Sequence, residues 1–370
     1  MVGAARACLL LCALLMAPVA AAVATTASQD GAGAWLQARA PRTWSFPKDH
    51  GAHPAYKTEW WYFTGNLADD AGRPFGYELT FFRHGVRFVL GPRANAWSLR
   101  DVYLAHFTVT DATAGRFLFD ERASRKGPGL AGAAADRLDV RLLGWSARME
   151  GGAIRLRARS DRMALDLRLA FDKPPVINGE AGISTKGPLP GQASYYASCT
   201  ALSTAGSVSL DGGQARAVRG VSWFDHEFGS NQLSAAQAGW DWFGLHLSDG
   251  RDLMVYLLRR KDGTVEPASS GTLVDAGGRG RYVPLSDIKV DLLGRWKSPK
   301  SGATYPAKWR LRIASEGIDL TVAPLLADQE LVTTGSTGVT YWEGAAQGSG
   351  TARGAPITCL GYIELVGYAD

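Results

Sequence analysis

The chain has 370 residues, 46% hydrophobic and 20% charged, enough to bury two cores of ordinary size and too apolar for a disordered polymer. Its formal net charge of +5 is spread as isolated arginines between apolar residues, as at Arg155, Arg157 and Arg159. That is how the solvated face of a strand looks, and it excludes the clustered basic footprint that binds nucleic acid. Forty-four glycines and twelve tryptophans suit many short strands joined by tight turns, with indoles between sheets, so the expected class is all-β.

In chain order, residues 1–24 read as a signal peptide. Arg6 supplies the positive start, residues 8–19 the apolar stretch, and Ala20, Ala21 and Ala22 the small residues a signal peptidase accepts. A periplasmic or secreted location follows as an expectation. The apolar run falls short of the roughly 18 residues a membrane span requires, and no other stretch approaches it, so no transmembrane segment is expected in the mature chain. Without the leader, Cys199 and Cys359 remain, and both a disulfide and two buried free thiols are open. Residues 25–45, rich in small and polar side chains around Trp35, read as a flexible lead-in.

Residues 46–67, FPKDHGAHPAYKTEWWYFTGNL, gather Asp49, His50, His53, Glu59 and four consecutive aromatics, Trp60, Trp61, Tyr62 and Phe63. They read as a loop feeding a strand. DDAGRP (69–74) then turns the chain into a second strand at 76–85. In DVYLAHFTVT (101–110), alternation puts Leu104, His106 and Thr108 on one face and Tyr103, Ala105 and Phe107 on the other. Residues 137–142, 153–158 and 163–171 alternate likewise, whereas 123–135 reads as a short helix or a loop. Residues 194–213 read as a hairpin rich in Tyr, Ser and Thr. The strand at 217–224 delivers Asp225, His226 and Glu227, of which alternation sends the two carboxylates to one face and the histidine to the other.

A repeat sets the expected architecture. EWWYFTGNL (59–67) and GWDWFGLHL (239–247) match at a constant offset, so that Trp60 answers Trp240 and Phe63 answers Phe243. The following strands and the Tyr195–Tyr196 and Tyr341–Trp342 pairs also correspond in order. Such a duplication predicts two domains, 46–229 and 230–370, each a closed antiparallel barrel with an interior pocket.

The segments FPKDHGAHPAYKTEWWYFTGNL, SWFDHEFGS, GWDWFGLHLSDG, YWEG and GYIELVGY resemble the AttH-type lipocalin-like family, which includes the bacterial carotenoid 1,2-hydratases. The resemblance runs from Phe46 to Tyr368. It implies two tandem lipocalin-like antiparallel β-barrels packed side by side, a secreted hydrolase or hydratase, polyene or terpenoid substrates, and an association with a membrane transport system. In the hydratases an indole stands two positions after the histidine of the Asp-His pair; here that position is Phe228.

Two functions fit these residues. One is an enzyme acting on a hydrophobic small molecule by cofactor-free acid and base chemistry, such as hydration or hydrolysis. Asp225, His226, Glu227, His53 and Glu59 are its candidate catalytic groups; His50, Trp60, Trp61, Tyr62, His106, Tyr196, Trp240, Asp241, Trp242 and Trp342 are its candidate substrate contacts. The other is a carrier of a lipophilic ligand, with the Asp-His-Glu run serving as a polar plug against the lead-in. A metal hydrolase using His50, His53 and His226 is disfavoured by Pro54, which blocks the helix that a spacing of three needs. No Gly-x-Ser-x-Gly elbow marks a serine hydrolase.

Overall fold

The computed structural model describes residues 34–231 and 233–369. The expected signal peptide lies outside the described residues. Period-two alternation builds nearly every element: in 75–82, Phe75, Tyr77, Leu79 and Phe81 enter a core, while Gly76, Glu78 and Thr80 face the other way.

The first sheet contains β1 (Thr58–Asp69), β2 (Pro74–Gly85), β3 (Asp101–Asp111), β4 (Arg116–Arg125), β5 (Ala131–Ala133), β6 (Asp139–Leu142), β7 (Trp145–Glu150), β8 (Ala153–Arg159), β9 (Met163–Phe171), β10 (Val176–Ile177), β11 (Ser184–Thr185), β12 (Ala193–Leu210) and β13 (Arg216–Asn231). Its order is β4-β3-β2-β1-β13-β12-β9-β8-β7-β6-β5, with β10 and β11 also pairing with β12. β6 comes back against β2, β3 and β4, so the sheet curls into a nearly closed barrel.

The second sheet contains β14 (Gln237–Leu247), β15 (Asp252–Arg260), β16 (Ser270–Val274), β17 (Gly280–Pro284), β18 (Ile288–Lys297), β19 (Thr304–Ile313), β20 (Ile318–Pro324), β21 (Glu330–Val332), β22 (Thr340–Ala352) and β23 (Ala355–Val366). Its order, β17-β16-β15-β14-β23-β22-β20-β19-β18 with β21 on β22, repeats the logic of the first: the opening strand pairs with its successor and with the closing strand. This sheet forms a half-barrel.

The interior of the first barrel is filled by its own side chains, among them Trp61, Phe63, Tyr77, Phe81, Phe107 and Trp145. Each fully buried Phe or Leu there contributes about 1.5–3 kcal/mol. A second cluster around Tyr305, Trp309 and Trp342 fills the half-barrel. A third lies between the sheets, built from Tyr62, Tyr196, Trp223, Trp242, Met254, Tyr256, Leu258, Ala345 and Tyr362. We call this zone the seam.

Two connections strap the sheets together. From the first half, Lys173 Nζ donates to Asp252 Oδ2 and to the Gly250 carbonyl, both at 2.7 Å, and the Lys186 carbonyl accepts from Gln237 Nε2 at 2.6 Å. From the second, Gln329 Oε1 accepts from Thr110 Oγ1 at 2.7 Å and the Gly335 amide donates to Glu121 Oε1 at 2.8 Å.

Three local expectations are corrected. Residues 123–135 hold the end of β4 and all of β5, not a helix. The expected hairpin at 194–213 is the single long strand β12, because the turn chemistry sits after it, at Asp211 and Gly212 with φ of 49° and 69°. The described part of the lead-in is bonded to the barrel: Tyr195 Oη donates to the Ala40 carbonyl at 2.7 Å and the Leu36 amide to the Ala55 carbonyl at 3.0 Å. Cys199 and Cys359 are buried free thiols.

The sheets approach closely where a Cβ on Gly76 would stand 2.5 Å from Ala345 Cβ. We expect Gly76→Val to cost about 1–3 kcal/mol by overpacking, read as a lower urea midpoint. Gly132→Ala, where the added carbon meets nothing within 4 Å, should leave that midpoint almost unmoved.

Candidate functional site

β13 runs beside β1 with His226 opposite Trp61 and Asp225 opposite Tyr62. Alternation therefore sends His226 into the end of the first barrel and Asp225 and Glu227 into the seam. Two separate polar centres result.

The first centre is a latch. Glu59 Oε1 lies 2.9 Å from His226 Nε2 and 2.9 Å from His53 Nδ1, and both Glu59 oxygens accept from the His53 amide, at 2.9 and 3.0 Å. Buried Arg83 donates to Glu59 Oε2 at 2.9 Å and to Asp101 Oδ1 at 3.0 Å. His226 Nδ1 donates to the Asp49 carbonyl at 3.0 Å, while the Asp49 carboxylate accepts from Arg42 at 2.8 Å. With Nδ1 committed to a carbonyl, a second proton must lie between His226 Nε2 and Glu59.

Burial works to raise the Glu59 pKa, but hydrogen bonds from His226 and His53 and the charge of Arg83 outweigh it and hold the carboxyl far below its usual range. Burial also lowers the His226 pKa, with Glu59 opposing. The donor atoms of His53, Glu59 and His226 lie within 4.8 Å of one another, close enough for a cation to bridge. Arg83 already neutralises Glu59, however, and the three side chains are bonded to one another, so the set fits a latch better than a metal site. His50 is not part of it; its ring packs among Phe46, Phe171 and Phe224, and burial lowers its pKa to about 3.

The second centre is the seam. Asp225 Oδ1 accepts from Ser198 Oγ at 2.5 Å and Trp223 Nε1 at 2.6 Å, and Oδ2 accepts from Tyr196 Oη at 2.5 Å. Trp242 Nε1, from the other sheet, donates to Tyr196 Oη at 3.0 Å. Burial pushes Asp225 up to about 7 against these donors, with the Glu227 charge adding to it. Glu227 accepts from Ser194 Oγ at 2.5 Å and pairs with Lys186 Nζ at 3.1 Å, and that ammonium lies 4.2 Å from the centre of the Tyr256 ring. Glu364 accepts from Trp240 Nε1 at 2.9 Å, and burial beside Glu227 and Asp225 raises it to about 7. Glu78 and Glu343 are held well above the carboxylate range, chiefly by burial and then by neighbouring carboxylates.

Of the residues expected at a site, the seam brings together Asp225, Glu227, Trp60, Tyr62, Tyr196, Trp240 and Trp242. His106 closes one side of it: Ser336 gives its proton to Glu121, so His106 Nε2 donates to Ser336 Oγ at 2.9 Å and Nδ1 accepts from Tyr341 Oη at 2.6 Å. His226, His53, Glu59 and Trp61 belong to the latch, Trp61 stacking on His226 at 5.1 Å and donating to the His50 carbonyl. Asp241 faces the half-barrel interior, with Arg259 Nε at 2.9 Å and Tyr368 Oη at 2.9 Å, because alternation opposes it to both flanking indoles. Trp342 fills the half-barrel core and donates to the Ala327 carbonyl at 2.7 Å.

Sequence reasoning missed Glu78, Lys186, Ser198, Trp223, Glu343 and Glu364. Glu78, Glu343 and Glu364 are lone carboxylates inside apolar strands, a costly pattern that was itself a signal.

The sequence matches the AttH-like family over residues 37–368, and the chain belongs to that family. A crystal structure of a Nitrosomonas europaea protein assigned to AttH is 32% identical with a TM-score of 0.79, covering 88% of this chain and 98% of its own. Kievitone hydratase from Nectria haematococca shares the fold at 18% identity and a TM-score of 0.67, covering 90% and 95%. So does CghA with Sch210972, at 12% identity and 0.53, covering 84% and 89%. No curated protein matches the sequence.

Two measurements check these electrostatics. Removing one partner of the buried latch by His226→Ala should cost about 3–5 kcal/mol in chemical denaturation. Burial holds the folded pKa values of Glu78 and Glu343 well above that of an exposed glutamate, so the folded state holds protons that the unfolded chain has released. Stability should therefore fall as pH rises above the unfolded glutamate value of about 4.5, by up to about 1.4 kcal/mol per pH unit for each group, until the folded carboxyl itself titrates. Glu343→Gln should flatten that slope; a slope unchanged in the variant would contradict the assignment.

Proposed function

We propose that the protein is an exported enzyme that adds water to an apolar small molecule, or hydrolyses one, in the seam between its two sheets. The observation that carries this is Asp225: a fully enclosed carboxyl with a pKa near neutral, linked through Tyr196 to an indole of the opposite sheet. Family membership and the fold shared with kievitone hydratase support the same reading. The apolar leader at residues 8–19 supports export.

Hydration of an isolated double bond needs a proton delivered to one carbon, a water for the other, and a surface that tolerates the cation between the two steps. Protonated Asp225 donates through Oδ2 to Tyr196 Oη, reversing the bond that the carboxylate accepts, so that the Tyr196 hydroxyl proton is the one passed to the substrate and Asp225 replaces it. Trp242, Trp223 and Tyr196 present aromatic faces to the carbocation. Water adds, and its surplus proton returns to the carboxylate, so that the net change is one water gained. Glu227, paired with Lys186 at 3.1 Å, lies beside this pair, and its charge adds to the rise of the Asp225 pKa. No step calls for a cofactor.

The test is incubation of the exported protein with apolar molecules bearing an isolated trisubstituted double bond, reading incorporation of labelled water by mass spectrometry. Asp225→Asn should lower turnover about a hundredfold or more, as general acid catalysis contributes. Because the acid form is required, the wild-type rate should fall above about pH 7, following the raised Asp225 pKa. A variant that still converts substrate at the wild-type rate would leave a carrier of lipophilic ligands as the better reading.

A further inference from the structure

One end of the seam holds polar groups that the hydration chemistry does not use. Tyr62 Oη, Glu78 Oε1 and Oε2, Thr80 Oγ1 and Glu343 Oε1 are all buried and have no hydrogen-bond partner within the protein. They belong together. Tyr62 and Thr80 stand opposite each other on β1 and β2, Thr80 lies beside Glu78 two residues away on the same face, and the Tyr62 and Tyr341 hydroxyls lie beside Glu343, but none of these neighbours meets in bonding geometry. Glu78 and Glu343 are 0% and 1% exposed, so solvent does not satisfy them. Leaving even one such group unpaired costs about 1–3 kcal/mol, and a cluster of four calls for a ligand.

We propose that this end of the seam is a binding subsite for a protonated primary amine, held by Glu78, Glu343 and Tyr62.

The charges around the subsite select that class. Glu364 stands opposite Glu343 on β23 and acts on both Glu78 and Glu343, while the seam's Lys186 is paired with Glu227 at 3.1 Å. Three carboxyl groups thus face one another with no cation among their partners. The nearby hydroxyls are committed, Tyr341 to His106 Nδ1 at 2.6 Å and Tyr362 to Thr108 at 3.3 Å. His106 is neutral, since burial lowers its pKa to about 3. An ammonium offers three N–H donors and one positive charge, which answers both deficits at once. Tyr62 and Trp242, 5.4 Å apart and edge to face, add ring faces of the kind that attract cations. A metal fits less well: among the described residues the one cluster with ligand-like spacing is the latch.

Ionising the subsite's carboxyls against their burial is what an ammonium offsets, so amine and protons compete. Affinity should therefore rise with pH while the amine itself stays charged. The subsite does not depend on Asp225 being a proton donor, and its test reads binding, not turnover.

The experiment is calorimetric titration of the full protein with tyramine and with its alcohol counterpart, 4-(2-hydroxyethyl)phenol, at pH 6 and pH 8. Tyramine should bind about tenfold more tightly at pH 8 than at pH 6, a difference of about 1.4 kcal/mol, and about tenfold more tightly than the alcohol. Glu343→Gln and Glu78→Gln should each weaken tyramine about tenfold or more, with Glu78→Gln standing in should the first fail to fold. Absence of tyramine binding, equal affinity for the alcohol, or an affinity flat or falling with pH would each overturn the proposal; the wild-type comparisons decide it even without the variants.

Discussion

Both polar centres depend on the two-residue alternation of β13 against β1. Because successive side chains leave a strand on opposite faces, Asp225, His226 and Glu227 cannot share one cavity. Their register against Glu59, Trp61 and Tyr62 decides where each goes. His226 enters the barrel, where Glu59, His53 and Arg83 await it; the carboxylates enter the seam. A one-residue slip of this pairing would put an imidazole between the sheets and two carboxylates in an aromatic core, which makes the register strongly specified.

The two centres manage buried charge in opposite ways. In the latch every carboxylate meets a cation or several N–H donors, so ionised groups are stable there and tie the lead-in to the barrel. In the seam, carboxyl groups outnumber cations, and burial shifts them toward the protonated form. Perturbed carboxyls between packed aromatic walls are where proton transfer at neutral pH becomes workable. The tight fill of the first barrel strengthens the point: a lipocalin-like barrel can hold ligands in its lumen, but here Trp61, Phe63 and their neighbours occupy it.

Much of this was legible in the sequence. Glycine and tryptophan content, alternation and the EWWYF and GWDWF repeat point to paired antiparallel sheets, and alternation alone separates His226 from its acidic neighbours. Tertiary choices were less legible. The pairing of Glu59 with His226 spans 167 residues and exists only once β1 lies beside β13. Asp241 is expected from the sequence as a substrate contact alongside Trp240 and Trp242, yet the same alternation places it on the far face, where Arg259 compensates it. Lys186 sits in a connection with no periodicity, and nothing local shows that it crosses to Glu227 and Tyr256. The isolated Glu78, Glu343 and Glu364 were readable as anomalies, although their mutual proximity comes only from the packing of two sheets.

The central claim is that chemistry happens between the sheets and not inside a barrel. A crystal structure of the protein bearing a lipophilic molecule retained from its own host, or supplied as an apolar alkene, tests this most directly. Ligand density should lie in the seam, in contact with Asp225, Tyr196 and Trp242. Density enclosed within the first barrel, among Trp61, Phe81 and Phe107, would contradict it.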